Sequence, residues 1–139
     1  MLKRLLTRVR LLRAAGILLM TLGIVHLIAT PHIATLIRHA ASPASAPWLI
    51  PPMLLNHIIV GVLLISLGYL TTYAAPHAAD GASWAQVIVR TTALSIATLP
   101  VALFALMGTR YYFDAPLFVL GATLTIIVAV TLLIVAFAR

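Results

Sequence analysis

The chain has 139 residues, of which 63% are apolar and only 8% charged, and its formal net charge is +7. Soluble domains carry roughly 25% charged residues, so this composition excludes a soluble globular protein. The lack of cysteine excludes disulfides, thiolate metal sites and thiol nucleophiles. Five of the nine cations stand at the N-terminus beside the first apolar run: Lys3, Arg4, Arg8, Arg10 and Arg13. This is the positive-inside signal of a membrane protein, and we do not expect nucleic-acid binding.

Apolar runs of membrane-spanning length occupy about residues 13–30, 52–75, 85–108 and 115–138. Each is close to or longer than the ~20 residues that cross a bilayer as an α-helix. The sequence therefore predicts one all-α domain, residues 1–139, folded as an integral membrane four-helix transmembrane bundle. An even number of spans puts both termini on one side. The positive-inside rule predicts that this side is the cytoplasm, at the inner (plasma) membrane of a bacterium.

The N-terminal segment, residues 2–13, has apolar residues at helical spacing and cations on its other faces. This pattern is typical of a basic amphipathic helix in the headgroup region, and it also fits a straight extension of span 1 beyond the bilayer. The segment resembles a secretory signal as well. Because the apolar run is long and three more spans follow, we expect an anchor that stays in the membrane.

The longest connection, residues 31–51, joins spans 1 and 2 on the predicted outer side. Thr30 and Pro31 form a typical helix start, with Thr as the cap and Pro at the first helical position. An apolar stripe follows, so the sequence predicts a short outer interfacial helix. Trp48 suits the aromatic belt of the outer interface, and Pro51 and Pro52 are expected to open span 2.

Two shorter loops join the remaining spans. The inner loop, residues 76–83, makes spans 2 and 3 antiparallel neighbours, and we interpret its His77 as a solvated loop residue. The outer loop carries Arg110 and Asp114 four residues apart. Between them, Tyr111 and Tyr112 suit the aromatic belt.

Histidines and glycines follow matching registers on spans 1 and 2. On each span two glycines, one histidine and one threonine share a helical face: Gly16, Gly23, His26 and Thr30 on span 1, and His57, Gly61, Gly68 and Thr72 on span 2. Since the spans run in opposite directions, the rise of about 1.5 Å per residue puts both histidines at the same depth near the outer surface. Facing glycines allow two helix backbones to approach closely, so a tight hairpin is predicted.

Imidazoles inside a span are costly and seldom face lipid, so we expect His26 and His57 to point inward. The simplest interpretation is packing, with the rings hydrogen-bonded to each other, to Asn56, to Thr30 or to water. The first functional alternative is a b-type haem with bis-histidine ligation. Closely facing glycines argue against it, because a haem holds two helices well apart.

Further ligands remain open for the same pair. A metal ion needs at least a third ligand, for which His32 and Asp114 are the candidates. A quinone or lipid-headgroup pocket and a proton-responsive switch are the other interpretations. The rim of such a pocket would come from four polar or aromatic residues: Asn56, Arg110, Tyr111 and Tyr112.

The chain contains no recognisable enzyme motif and no acidic residue within a span, which argues against a proton-coupled exporter. The leading functional prediction is a small non-catalytic subunit or oligomer-forming component of a membrane complex. The alternatives are a redox subunit that binds b-haem or quinone through His26 and His57, and a small transporter or channel. Expected partners are the lipid bilayer and other membrane subunits or further copies of the chain.

Overall fold

A computed structural model describes residues 2–108 and 116–137, and these residues form four helices. They are α1 (Leu2–Ala40), α2 (Ala46–Ala79), α3 (Ser83–Met107) and α4 (Pro116–Phe137). Each contains a stretch that is long and apolar enough to cross a membrane. The prediction of an all-α, four-helix transmembrane bundle is confirmed, and the chain is a small polytopic membrane protein.

Helix α1 continues without a break through both segments that the sequence set apart. The basic N-terminal segment is its first three turns, and the residues from Pro31 to Ala40 are its last three. The separate interfacial helix expected to begin at Pro31 is therefore wrong, and Thr30 is not a helix cap. Pro31 removes the N–H that would bond to the carbonyl of Leu27. Inside a membrane protein a neighbouring helix and threonine hydroxyls compensate for such a loss.

Helix α2 begins at Ala46, ahead of the expected opening at Pro51 and Pro52, which both lie inside it. Its start is favourable because a proline stands in the first turn. At the other end α2 runs to Ala79, and only residues 80–82 separate it from α3. Gly81 occupies the left-handed region in this turn, with φ of 92°. The short connection confirms that α2 and α3 are antiparallel neighbours.

The helices close into a bundle in which α1 packs most extensively on α2, and α3 on α4. Contacts between α2 and α3 and between α1 and α4 complete it. The main core includes the fully buried Leu12, Ile96 and Leu132. We call the end of the bundle that contains residues 80–82 the turn end. Most of the core residues of α1, α2 and α3 lie in the half nearer to it.

At the opposite end, α1 and α2 are the only described helices that continue beyond the end of α3. Helix α2 has 34 residues and α3 has 25, so with a three-residue turn between them α2 extends about 13 Å beyond α3. Helix α1 accompanies it, because Ala34 and Ile37 of α1 and Ala46 of α2 are buried there. We call this extension, residues 31–40 and 46–54, the hairpin arm.

Candidate functional site

Four glycines bring the backbones of α1 and α2 into close contact. A Cβ atom added to Gly23 would lie 2.6 Å from the carbonyl oxygen of Gly61, and one added to Gly68 would lie 2.5 Å from that of Gly16. Real Cβ atoms do not approach a carbonyl oxygen so closely, so a larger side chain at either position forces the helices apart. The predicted pairing of Gly23 with Gly61 and of Gly16 with Gly68 is confirmed.

The two histidines meet about one helical turn beyond Gly23 and Gly61, on the side away from the turn end. The ring centroids of His26 and His57 are 3.9 Å apart, and the ring planes differ by only 13°. This is a parallel stack in van der Waals contact. Both side chains are half-buried. The prediction that the histidines lie at the same depth is confirmed, and the structure shows in addition that the two rings contact each other.

Thr30 links the histidines to the backbone of α1. Its hydroxyl donates to the carbonyl oxygen of His26 at 3.1 Å, and its Oγ1 lies 3.1 Å from Nδ1 of His57. Because the hydroxyl carries a single proton, the arrangement that satisfies both contacts has the Nδ1–H of His57 donating to Oγ1 of Thr30. A hydrogen-bonded chain then runs from α2 through Thr30 to the backbone of α1.

The stack does not fit a bis-histidine haem. Two axial imidazoles must bind opposite faces of the porphyrin plane, whereas the facing surfaces of His26 and His57 are already in contact with each other. The glycine contacts below the stack leave no room for a macrocycle between α1 and α2. As arranged here, the geometry favours the packing interpretation, in which the rings contact each other and Thr30.

A metal site finds little support in the same region. Among the residues that the structure describes, no three histidine, aspartate or glutamate side chains come together. His32 is exposed on α1, and the rest of the expected ligand set, Asp114, lies outside the described residues. The histidine pair thus has the right chemistry but no third described ligand for a tetrahedral site.

The proposed rim of a quinone or headgroup pocket is only partly within the described chain. Asn56 is on α2 next to His57 and is exposed. Arg110, Tyr111 and Tyr112 lie outside the described residues, so the pocket stays a prediction.

An aromatic cluster at the turn end did not emerge from the sequence. His77 lies in the last turn of α2, not in a loop, and its ring centroid is 5.2 Å from that of Trp84 on α3 and 6.2 Å from that of Tyr73. Tyr69 continues the row along α2. The four-residue spacing of positions 69, 73 and 77 was an available signal, but using it requires α2 to continue past Pro76.

Comparison of the chain with protein-family models, with curated proteins and with solved structures gave no match.

Proposed function

We propose that this protein is a non-catalytic component of a membrane assembly, and that its hairpin arm binds a second membrane protein. In this proposal the chain sits in the inner (plasma) membrane with both termini in the cytoplasm, as its N-terminal cations favour. The observation that carries the proposal is the length of the arm. The support comes from its reach, its apolar surface, its rigidity and its charge.

The arm reaches past the thickness that a bilayer can cover. The 25 residues of α3 rise about 38 Å, already more than the ~30 Å hydrocarbon core. Residues of the arm continue about 13 Å further on one side. In this proposal the arm lies at the level of the headgroups and beyond them, where lipid tails do not cover an apolar surface.

The surface of the arm is nevertheless strongly apolar. Trp48 is 83% exposed, and Met53 and Leu36 are each 49% exposed. A tryptophan alone suits an interface, but exposed apolar groups in this number next to water mark a protein-binding surface. Aromatic and aliphatic anchors of this kind dominate the energy of many protein interfaces.

The arm is built to hold its shape. The histidine stack and the Thr30 hydrogen bonds lie at its base, and the glycine contacts fix the helices immediately below. Ala34 and Ile37 are buried within it. A rigid surface loses little conformational entropy when a partner binds. In this proposal the contact between His26 and His57 holds the two helices of the arm together and so preorganises the binding surface.

The charge on the arm indicates the chemistry of the partner. Arg38 and His39 are exposed in the last turn of α1, and residues 31–56 contain no acidic side chain. An apolar segment that carries carboxylates complements this surface. A second copy pairing arm to arm would instead bring like charges together, which is unfavourable.

Site-specific crosslinking tests the proposal, and the chain suits it because it has no native cysteine. Trp48→Cys carries a short thiol-linked photocrosslinker in native membranes. The matched control is Val101→Cys, which is 69% exposed on α3 and faces lipid. We expect an adduct from position 48 only, whose linked peptide is an apolar segment with Asp or Glu. Arg38→Glu should lower its yield, whereas Arg10→Glu at the turn end should not.

Several outcomes would overturn the proposal. An adduct of twice the mass of the chain would identify self-association instead of a different partner. Equal yields from positions 48 and 101 would show random contact within the membrane. A linked peptide without acidic residues, or a yield unaffected by Arg38→Glu, would contradict the inferred charge complementarity.

A further inference from the structure

Arg8 differs from the other N-terminal arginines that the structure describes in the direction it faces. It lies one helical turn before Leu12, and the same stripe of α1 continues through Ala15 and Leu19. Those three residues are buried in the main core. Arg8 itself is half-buried, whereas Arg10 is exposed. The side chain of Arg8 therefore faces the space between the helices at the turn end, next to the core, and not the outer surface of the bundle. We call this space, between Arg8 of α1 and the end of α4, the mouth of the bundle.

The Nε atom of Arg8 is buried, and no described atom is within hydrogen-bonding distance as its partner. An unpaired donor of this kind is costly, and the cost is greater for a charged group. A guanidinium has five N–H donors and no acceptor. The arrangement calls for an anion or another acceptor from outside the described chain.

A second arginine, Arg90, binds a backbone acceptor at the same end of the bundle. The Nε–H of Arg90 on α3 donates to the carbonyl oxygen of Ala136 in the last described turn of α4 at 3.4 Å. The guanidinium carbon of Arg90 is 5.6 Å from the centroid of the Phe137 ring. Arg90 thus compensates the negative end of the α4 dipole. Arg8 is not needed for that purpose, and its Nε has no partner among the described residues.

Arg8 and Arg90 lie at a common depth on two sides of α4. Leu11 and Leu18 of α1 line the same groove as Val128 and Thr131 of α4, with the two helices antiparallel. From the middle of that groove, Arg8 lies about 10 Å toward the turn end, and the end of α4 beside Arg90 lies about 12 Å in the same direction. Two guanidinium groups consequently stand at one level.

That level lies near the turn-end limits of the apolar stretches of α1 and α4, which run from Leu5 to Ala40 and from Val119 to Phe137 within the described residues. On α1, Arg8 also precedes the long apolar run that follows Arg13. Phospholipid phosphates lie just outside the hydrocarbon core. The chain has nine Lys and Arg residues and only two acidic ones, so most of the anionic charge that balances them must come from elsewhere.

We propose that the mouth of the bundle at the turn end binds the phosphate of an anionic phospholipid, with Arg8 as its principal ligand and Arg90 as the second cation. The planar fork of Arg8 can donate two parallel hydrogen bonds to phosphate oxygens. This site is distinct from diffuse attraction of a basic segment to an anionic membrane surface. It depends on one inward-facing arginine and not on the number of cations.

The test measures lipid retention by the full chain in detergent, using native mass spectrometry and titration with phosphatidylglycerol or phosphatidylcholine. We expect retention of phosphatidylglycerol but not of phosphatidylcholine. A charge-assisted hydrogen bond corresponds to about a tenfold to hundredfold change in affinity, so Arg8→Gln should weaken phosphatidylglycerol binding at least about tenfold. Arg10→Gln removes the same charge from the exposed face and should change binding less than about twofold.

Two further measurements keep the test decisive. Helix content and thermal unfolding of each variant are recorded without lipid. If Arg8→Gln fails to fold, Arg8→Lys and Arg10→Lys replace the pair. Lysine keeps the charge but lacks the fork, so only Arg8→Lys should weaken binding. Soluble glycerol phosphate is added as a competitor, and we expect it not to displace the lipid.

Three results would overturn the proposal. Equal losses for the Arg8 and Arg10 variants would show that only diffuse charge matters. Equal retention of phosphatidylcholine and phosphatidylglycerol would show that anionic headgroups are not selected. Displacement by soluble glycerol phosphate at the lipid's own concentration would show a site for free phosphate instead of a phospholipid.

Discussion

The contact between α1 and α2 can be tested by adding one methyl group to it. In Gly23→Ala the new Cβ would lie 2.6 Å from the carbonyl oxygen of Gly61 and 2.7 Å from Cγ1 of Ile65. Ordinary contacts of this kind are longer by roughly 1 Å, so the helices must separate by a comparable distance. Overpacking of this size costs about 1–3 kcal/mol.

A matched substitution separates this cost from the general effect of replacing glycine by alanine in a helix. Gly121 lies inside α4, and no described atom comes within 4 Å of a Cβ added there. Both substitutions gain a similar helix propensity, up to about 1 kcal/mol. The difference between Gly23→Ala and Gly121→Ala therefore isolates the overpacking. It should correspond to about a 5- to 150-fold change in the unfolding equilibrium.

The assay is reversible unfolding of the detergent-solubilised chain by sodium dodecyl sulfate, followed by far-ultraviolet circular dichroism. Gly23→Ala should unfold at a lower fraction of sodium dodecyl sulfate than the unmodified chain, and Gly121→Ala at the same fraction or a higher one. If the two variants unfold together, the close approach of α1 and α2 is refuted, and with it the depth register that positions the histidine stack.

Two other substitutions test single features of the fold. Thr71 is fully buried on α2, and its hydroxyl has no partner among the described residues. Because valine removes this unsatisfied hydroxyl, Thr71→Val should raise the free energy of unfolding by about 1 kcal/mol in the same assay. Thr72→Val should not, because the hydroxyl of Thr72 donates to the carbonyl oxygen of Gly68 at 2.9 Å. Gly81→Ala should lower the free energy of unfolding by about 1 kcal/mol, since alanine is strained at a φ of 92°. A thermal melting curve that shifts by no more than its error would contradict this assignment of the turn.

Much of the site between α1 and α2 could be predicted from residue spacing. Two helices that run in opposite directions with a common rise per residue must bring matching registers to matching depths. This is why the pairing of Gly23 with Gly61 and the meeting of His26 with His57 were accessible from the sequence. The sequence does not predict whether the histidines pack against each other or bind a ligand, because spacing along a helix does not say whether two rings touch or face each other across a gap.

Errors arose where a local signal competed with packing over a longer distance. Pro31 is a strong local indicator of a helix start, yet α1 continues through it because its last turns pack on α2 and bury Ala34 and Ile37. Pro76 likewise predicts the end of α2 too early, so the prediction that His77 lies in a loop is wrong. Local preference is a weak guide where tertiary contacts supply more free energy.

The amino-acid pattern alone establishes the membrane-spanning class, the number of helices and the register of the first hairpin, since apolar length and helical periodicity are properties of the chain itself. Only the packed bundle reveals that the imidazoles are stacked, that α1 and α2 extend as an arm beyond α3, and that Arg8 faces the mouth of the bundle. These depend on how far one helix runs beside another and on which face it turns inward. Such quantities belong to the contacts between helices and not to any one of them.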